Sequence, residues 1–203
     1  MDAQTQYMST FFPSTDLELA QNLKGFHPPY LLDLFLRMAT HLGDSRFLLI
    51  LISLISLGLW RICSRNIALA FCICAVSSAM ACEGIKYLVQ RPRPDMSLSR
   101  VEKLPSSPSF PSGHTMVSTT VFGSLAVLGT FLTQRKTIRL ILTAVGIFIP
   151  ILVGLTRMYL GVHYLSDVLG GWVGGGIFVF VLHLWIRKNS NKTTDSYPPS
   201  LEG

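Results

Sequence analysis

Charged residues are scarce in this chain of 203 residues. Aspartate, glutamate, lysine and arginine make up 14% of it, whereas hydrophobic residues make up 49%. A soluble domain carries roughly 25% charged residues, and the apolar residues here are gathered in blocks of nearly bilayer length rather than dispersed. This composition excludes an ordinary soluble domain and indicates an integral membrane protein.

Further absences narrow the classes of function. No basic helix or aromatic-rich platform accompanies the net charge of +6, so the charge does not predict binding of nucleic acid. The four cysteines lie in or beside apolar runs with no neighbouring histidine, and we interpret them as small core or lipid-facing residues rather than zinc ligands. The glycines between residues 170 and 176 lack a phosphate-loop lysine, so they predict close helix packing rather than a nucleotide site.

Five apolar segments are predicted to cross the membrane, at residues 47–62, 66–89, 115–132, 138–155 and 165–186. Before them, residues 14–23 and 29–42 have helical periodicity, and the second stretch has an apolar face opposite Asp33 and Arg37. Such a pattern is typical of helices that lie at the membrane surface.

The predicted fold is therefore an all-α membrane bundle of about five spans with interfacial helices at its N-terminal end. We divide the chain into an interfacial segment at 1–42, an embedded domain at 43–187 and a disordered polar tail at 188–203. The start of the chain lacks the pattern of a cleavable signal peptide, so the first span is expected to direct insertion.

The order of the spans places the loops at 90–113 and 156–164 on one side of the membrane. The other side receives the cations that flank the spans, at Arg61, Arg65, Arg135, Lys136, Arg139, Arg187, Lys188 and Lys192. Because cytoplasmic flanks are enriched in lysine and arginine, we expect the two loops to face outward and the tail to face inward.

Three short polar groups stand out at the outer ends of these spans. Ionisable side chains beside lipid-length segments are costly, so they suggest a functional site by default. The first group is Lys86, Arg93 and Pro94; the second is Pro111-Ser112-Gly113-His114; the third is Thr156-Arg157, His163 and Asp167.

The first group has the chemistry of an anion site. Arg93 lies between two prolines and presents a planar fork that suits phosphate oxygens. Lys86 can add a second positive charge, although a lysine at the end of a span can also simply extend its ammonium to the interface.

The second group lies where the third span begins. The backbone N–H groups of a helix start, together with the Ser112 hydroxyl and the flexible Gly113, form a natural cradle for an anion, with His114 at its rim. An equally good interpretation makes Ser112 a helix cap and His114 an ordinary interfacial histidine.

The third group carries the strongest signal. His163 and Asp167 are four residues apart, so one helical turn can bring them together, and the carboxylate can accept from Nδ1–H and leave Nε2 as a nucleophile. A metal site is an alternative, but Arg157 and the other cations would repel a divalent ion and attract an anion. These residues alone leave open which of the two histidines attacks.

The order Lys86-x6-Arg93-Pro94, Pro111-Ser112-Gly113-His114 and Thr156-Arg157-x5-His163-x3-Asp167 resembles the type 2 phosphatidic acid phosphatase superfamily. The resemblance covers residues 80–175. One departure is Thr156, where the third motif usually has serine; both side chains supply a hydroxyl.

The resemblance implies a helical bundle and a phosphatase that uses neither a metal nor another cofactor. His163 would attack phosphorus and form a phosphohistidine, Asp167 would orient it, and His114 would protonate the leaving oxygen. The phosphate would be bound by Lys86, Arg93, Arg157, Ser112 and Gly113.

Within this superfamily, the chain is similar to bacterial phosphatases of undecaprenyl diphosphate, phosphatidylglycerophosphate and lipid A, which implies a lipid phosphate substrate and a cytoplasmic membrane. Arg91, Arg100 and Lys103 would favour a diphosphate if they contacted a second phosphate, or they form a solvated basic loop. A phosphotransferase with the same site and a non-catalytic membrane binding protein remain alternatives.

Overall fold

The computed structural model describes residues 13–194, and the side chains of residues 190–194 lie outside this description. The described residues form α-helices and short 3-10 turns without any strand, which confirms the predicted all-helical fold. The α-helices are α1 (Thr15–Gly25), α2 (Tyr30–Ala39), α3 (Ser45–Ile62), α4 (Arg65–Val89), α5 (Gly113–Leu132), α6 (Lys136–Tyr159) and α7 (Leu165–Thr194).

Helices α3 to α7 are each long and apolar enough to cross a membrane, as the sequence predicted. Helix α7 continues to Thr194. The helix extends past residue 188, where the predicted tail begins, and the disorder of that tail stays a prediction. Residues 195–203 of the predicted tail lie outside the described residues, as do residues 1–12.

Local capping explains where the first two spans begin and end. Asp44 accepts a hydrogen bond from the backbone N–H of Arg46 at 2.9 Å, and Ser64 accepts from that of Asn66 at 3.2 Å. Both satisfy N–H groups that the first turn of a helix leaves without partners. Helix α4 ends at Gln90, whose left-handed backbone stops the helix shortly before Pro92.

The core of the bundle lies where α3, α4, α5 and α7 meet. Its most buried members include Leu48, Phe71, Val121 and Leu182. Many large apolar side chains on the outer surface of the same helices are exposed, as expected where a span faces lipid rather than water.

Close packing of α7 on α5 depends on glycine, as the sequence predicted. A Cβ atom added at Gly171 would lie 3.0 Å from the carbonyl oxygen of Ser112, and one at Gly175 would lie 2.5 Å from that of Met116. Small residues let the two backbones approach, which brings the first turn of α7 to the start of α5. A Cβ atom added at Gly176 would meet no atom within 4 Å, so this glycine is not required for the close approach of the two helices.

The N-terminal helices pack against the end of the bundle that carries the three polar groups. Helix α2 exposes a run of large apolar side chains, and on its other side Arg37 pairs with Asp33 at 2.9 Å. Tyr159 at the end of α6 donates a hydrogen bond to Asp33 at 2.6 Å. This arrangement agrees with the predicted amphipathic helix, while its location at the membrane interface stays a prediction.

Candidate active site

The three polar groups meet at one end of the bundle, around a cavity of about 470 Å³. The end of α4, the start of α5, the end of α6 and the α6–α7 turn each contribute to its wall. Six of the eight predicted site residues line it: Lys86, Arg93, Gly113, His114, Arg157 and His163.

His163 and Asp167 form a buried pair: His163 lies in the α6–α7 turn and Asp167 in the first turn of α7. Nδ1 of His163 lies 3.4 Å from Oδ2 of Asp167. The same carboxylate oxygen accepts from the Ser109 hydroxyl at 2.5 Å and from the backbone N–H of Tyr164 at 2.9 Å. The carboxylate is therefore fixed in position behind the imidazole ring.

Arg93 holds the opposite edge of the His163 ring. Its Nη1 lies 3.1 Å from Nε2 of His163 and donates to the carbonyl of Val162 at 2.8 Å, while its Nε donates to the carbonyl of Ser107 at 2.9 Å. A guanidinium has donors only, so Nε2 must act as the acceptor. The ring proton therefore lies on Nδ1, the nitrogen that faces Asp167.

The surroundings of His163 favour the neutral ring. The pKa of His163 is lowered to about 4, chiefly by burial; Asp167 opposes this shift, and the positive charges of Arg157 and Arg93 add to it. At neutral pH the ring is uncharged, and its Nε2 lone pair points toward the guanidinium of Arg93 in the cavity wall.

Arg157 reaches the cavity from the last turns of α6. It is buried, and its Nη1 donates to the Thr40 hydroxyl at 2.9 Å. Its Nε has no hydrogen-bond partner in the described part of the chain. A buried cation with an unsatisfied donor is well suited to an anionic ligand.

Lys86 and Gly113 combine two sources of positive potential. A Cβ atom at Gly113 would lie 3.3 Å from Nζ of Lys86, so the ammonium group stands directly over the N-terminus of α5. The helix start contributes partial positive charge at the same point. Glu83 pairs with Nζ at 2.7 Å, and its side chain is 67% exposed.

Ser112 differs from the other predicted phosphate-binding residues because it is fully buried and does not line the cavity. Its hydroxyl accepts from Thr115 Oγ1 at 2.9 Å, and its backbone N–H donates to the carbonyl of Asp167 at 3.0 Å. The second bond joins the start of α5 to the first turn of α7. Direct contact between the Ser112 hydroxyl and a phosphate stays a prediction.

The structure corrects the interpretation of Arg91. The sequence suggested a contact to a second phosphate or a solvated basic loop, but Arg91 is buried and donates to Oδ1 of Asp167 at 2.5 Å and to Oδ2 of Asp16 at 2.7 Å. The buried carboxylate of Asp167 needs a positive partner, and Arg91 supplies it. The signal in the sequence is the Arg91-Pro92-Arg93-Pro94 repeat, in which Arg91 precedes the predicted phosphate-binding Arg93 by two residues.

Arg100 is also engaged within the protein. Its Nη2 donates to the carbonyls of Leu23, Lys24 and Phe26 at the end of α1, and its guanidinium lies 4.5 Å from the centre of the Tyr159 ring. Lys103 is the third basic residue that the sequence offered for a second phosphate, and its side chain is exposed.

An apolar groove continues from the charged cavity between α3 and α4. Its walls are Leu48, Leu49 and Ile52 on α3 and Ala75, Val76, Ala79 and Met80 on α4. Leu49, Val76 and Met80 are exposed, so the groove reaches the bundle surface that faces lipid. The site can therefore hold a charged group and an apolar chain together.

A protein-family model, described as the PAP2 superfamily, matches residues 67–191, which is more than half of the chain. The chain belongs to this superfamily. The match includes every residue predicted for the site, from Lys86 to Asp167, and it excludes α1, α2 and α3.

Two known phosphatases match more than half of the chain. The chain is 35% identical to phosphatidylglycerophosphatase B of Bacillus subtilis (strain 168) over 147 residues, which is 70% of each chain. It is 31% identical to an undecaprenyl-diphosphatase of Sulfolobus acidocaldarius over 121 residues, 58% of this chain and 54% of the relative.

Solved structures agree with these relatives. A transmembrane PAP2-type phosphatidylglycerolphosphate phosphatase from Bacillus subtilis superposes with a TM-score of 0.78 and 29% identity, over 89% of this chain and 90% of the other. Aquifex aeolicus LpxE gives a TM-score of 0.60 and 25% identity, over 83% and 94%. This protein is thus an integral membrane enzyme of the PAP2 superfamily.

Proposed function

We propose that this PAP2 protein is a metal-independent lipid phosphatase that forms a phosphohistidine on His163. The observation that carries the proposal is the contact between Arg93 Nη1 and His163 Nε2 at 3.1 Å. It gives a neutral imidazole whose lone pair lies beside a phosphate-binding cation, and this is the arrangement that nucleophilic attack on a bound phosphate requires.

Phosphate binding is assigned to the cations of the cavity wall. Lys86, Arg93 and Arg157 would neutralise the phosphate oxygens, and the Gly113 N–H at the helix start would donate to one of them. In this complex a phosphate oxygen becomes the acceptor for Arg93 in place of Nε2, which releases the lone pair for attack. Ser112 would support the cradle from behind.

Transfer then proceeds in two displacement steps. Nε2 of His163 forms a bond to phosphorus while the bond from phosphorus to the leaving oxygen breaks, and His114 gives that oxygen a proton. Asp167 stabilises the positive charge that the phosphorylated ring carries. Water next attacks phosphorus as His114 removes its proton, the P–N bond breaks, and His163 returns to its neutral form with release of inorganic phosphate.

The charge of the site argues for catalysis without a metal ion. Three cationic side chains around one cavity raise the energy of a divalent cation there and already supply the stabilisation that a metal would give to the phosphoryl oxygens.

A lipid substrate is supported by the groove between α3 and α4. It joins the charged cavity to the lipid-facing surface, so an acyl or prenyl chain could remain in the bilayer while its phosphate reaches His163. The relatives named above act on phosphatidylglycerophosphate and on undecaprenyl diphosphate.

Between these two classes, a monophosphate ester fits the site better. Arg91 and Arg100, which would have favoured a diphosphate, are held by Asp167 and by the end of α1. The charged neighbour of Lys86 is the acidic Glu83. A second phosphate leading into the groove would meet apolar walls and a carboxylate, and both disfavour its negative charge.

The orientation is proposed from the charges that flank the spans. Arg61, Arg65, Arg135, Lys136 and Arg139 all lie at the end of the bundle opposite the cavity. By the positive-inside rule this end is cytoplasmic, and the active site faces outward from a bacterial cytoplasmic membrane.

The test is phosphate release from the detergent-solubilised protein in the presence of EDTA. Phosphatidylglycerophosphate, phosphatidic acid and undecaprenyl diphosphate are compared by kcat/KM, with His163→Ala as the inactive variant and His183→Ala, near the opposite end of α7, as its control. We expect EDTA-resistant release, faster from the monophosphates. A requirement for a divalent metal, or full activity of His163→Ala, would contradict the proposal.

A further inference from the structure

Helix α1 sends one acidic side chain into the interior next to the site. Asp16 is 4% exposed, whereas Glu18 on the same helix is exposed. Oδ2 of Asp16 accepts from Arg91 Nη2 at 2.7 Å. An aspartate buried this completely must have charged or hydrogen-bonding partners, so its position is specified by more than the propensity of an acidic residue for a first helical turn.

Arg91 connects Asp16 to the carboxylate behind the nucleophile. Its Nη1 donates to Oδ1 of Asp167, and its Nη2 donates to Asp16, so one guanidinium is shared between two buried carboxylates. With Oδ1 occupied in this way, Oδ2 of Asp167 is the oxygen that faces Nδ1 of His163.

Ser166 provides a second connection between α1 and the first turn of α7, and its hydroxyl also accepts from Nη1 of Arg91 at 2.6 Å. Its backbone N–H donates to Oδ1 of Asp16 at 3.0 Å, and its hydroxyl donates to Oδ2. Ser166 precedes Asp167 in the first turn of α7, where backbone N–H groups have no partner within the helix. Asp16 therefore caps, from another part of the chain, the turn that carries Asp167.

We propose that Asp16 is a positioning residue for the reaction, acting on His163 through Arg91, Ser166 and Asp167. The residue lies outside the part of the chain that the PAP2 family model matches. Through Asp16, α1 thus helps to position the carboxylate of Asp167, and this carboxylate in turn orients the imidazole of His163. The inference rests on the proposed role of His163 as the nucleophile.

Removal of the Asp16 charge should change the position of Asp167 relative to His163. Asp16→Asn places an amide against Arg91 and the Ser166 hydroxyl, so Arg91 has one carboxylate in place of two and can draw Asp167 away from His163. Within the described residues, none of the hydrogen bonds of the cavity cations Lys86, Arg93 and Arg157 goes to Asp16. Substrate binding should therefore change little while turnover falls.

The experiment compares Asp16→Asn with Glu18→Gln, which removes the same charge from an exposed position of the same helix. We expect Asp16→Asn to lower kcat about tenfold with KM within about twofold of wild type, and Glu18→Gln to leave both unchanged. Both substitutions are then repeated in an Asp167→Asn background, where Asp16→Asn should cost less than about twofold because its target is already removed. An equal loss in both backgrounds would overturn the proposal.

Two further measurements keep the inference testable. In ¹⁵N-histidine NMR spectra of the protein without substrate, His163 should carry its proton on Nδ1 in the wild type and show a mixture of tautomers in Asp16→Asn; unchanged tautomers would overturn it. This readout needs no turnover, so it separates a failure of the inference from a failure of the proposed function. If Asp16→Asn does not fold, Ser166→Ala removes one donor to Asp16 and should lower kcat about threefold; an unchanged kcat would again overturn it.

Discussion

Nη1 of Arg93 lies 3.1 Å from Nε2 of His163, so a predicted phosphate-binding cation and the predicted nucleophile share one hydrogen bond. The guanidinium is itself fixed by the carbonyls of Ser107 and Val162. Because arginine offers donors only, this contact determines the tautomer of the ring and the direction of its lone pair.

Arg93→Lys tests this relationship. Lysine keeps the positive charge but has no fork that could bond Ser107, Val162 and a phosphate oxygen together, so we expect kcat/KM to fall by about 10²-fold. Arg139→Lys is the control, because Arg139 lies in the first turn of α6, at the end of the bundle away from the cavity. This variant should retain wild-type kinetics. Wild-type kcat/KM in Arg93→Lys would mean that only the charge matters.

The protonation of His163 gives a second prediction. The folded-state pKa of about 4 lies below the ordinary value of 6.5, so the ring is neutral above about pH 4 and becomes charged only as the pH falls through that value. We expect its ¹⁵N resonances, assigned by comparison with His163→Ala, to keep the neutral pattern down to about pH 5. A midpoint near 6.5 would contradict the burial argument.

A corollary concerns the pH dependence of activity. Loss of kcat/KM between about pH 7 and pH 5 should not arise from His163, because its lone pair remains available there; the second ionisation of the substrate phosphate, with a pKa of about 6, is the expected cause. A substrate whose phosphate has a lower second pKa should shift the fall of kcat/KM to lower pH. A fall at the same pH for every substrate would contradict the assignment.

Thr40 supports Arg157 through the hydrogen bond at 2.9 Å. Thr40→Val keeps the shape but removes the acceptor, so the buried guanidinium loses its partner and its fixed position. We expect kcat/KM to fall by about fivefold to tenfold. Thr40→Ser restores the hydroxyl and should recover most of the activity; equal losses in the two variants would assign the effect to packing.

The contact between α5 and α7 predicts a difference between two neighbouring glycines. Gly175→Ala would place a methyl group 2.5 Å from the carbonyl oxygen of Met116, and overpacking of this kind costs about 1–3 kcal/mol of unfolding free energy. Gly176→Ala meets no atom within 4 Å and should leave stability unchanged or slightly raised. Thermal unfolding in detergent compares the two variants, and equal midpoints would contradict the packing account.

Much of the fold could be predicted because the membrane restricts the choice of structure. Long apolar segments must be helical where they cross lipid, and the short spacing of His163 and Asp167 brings both side chains to the start of α7. The order of the spans also required the three polar groups to lie on one side. These constraints are local or topological, so they can be read from the sequence.

The contacts that support the site could not be predicted in the same way. Asp16 lies in a segment whose sequence predicts a helix at the membrane surface, and the sequence allowed Arg91 to be part of a solvated basic loop. Their pairing joins residues 75 positions apart, and nothing in the local pattern of either residue indicates burial. Thr40 likewise meets Arg157 across 117 positions. Such contacts depend on how the N-terminal helices dock.

The central claim is that phosphate passes through a covalent bond to His163. The direct measurement uses His114→Ala with p-nitrophenyl phosphate, whose good leaving group needs no acid in the first step, while hydrolysis of the intermediate lacks its base. The reaction is quenched in alkali, which preserves a phosphohistidine, and the peptides are analysed by mass spectrometry. We expect one phosphate on His163. Phosphate on another residue, or steady turnover by His163→Ala, would contradict the mechanism.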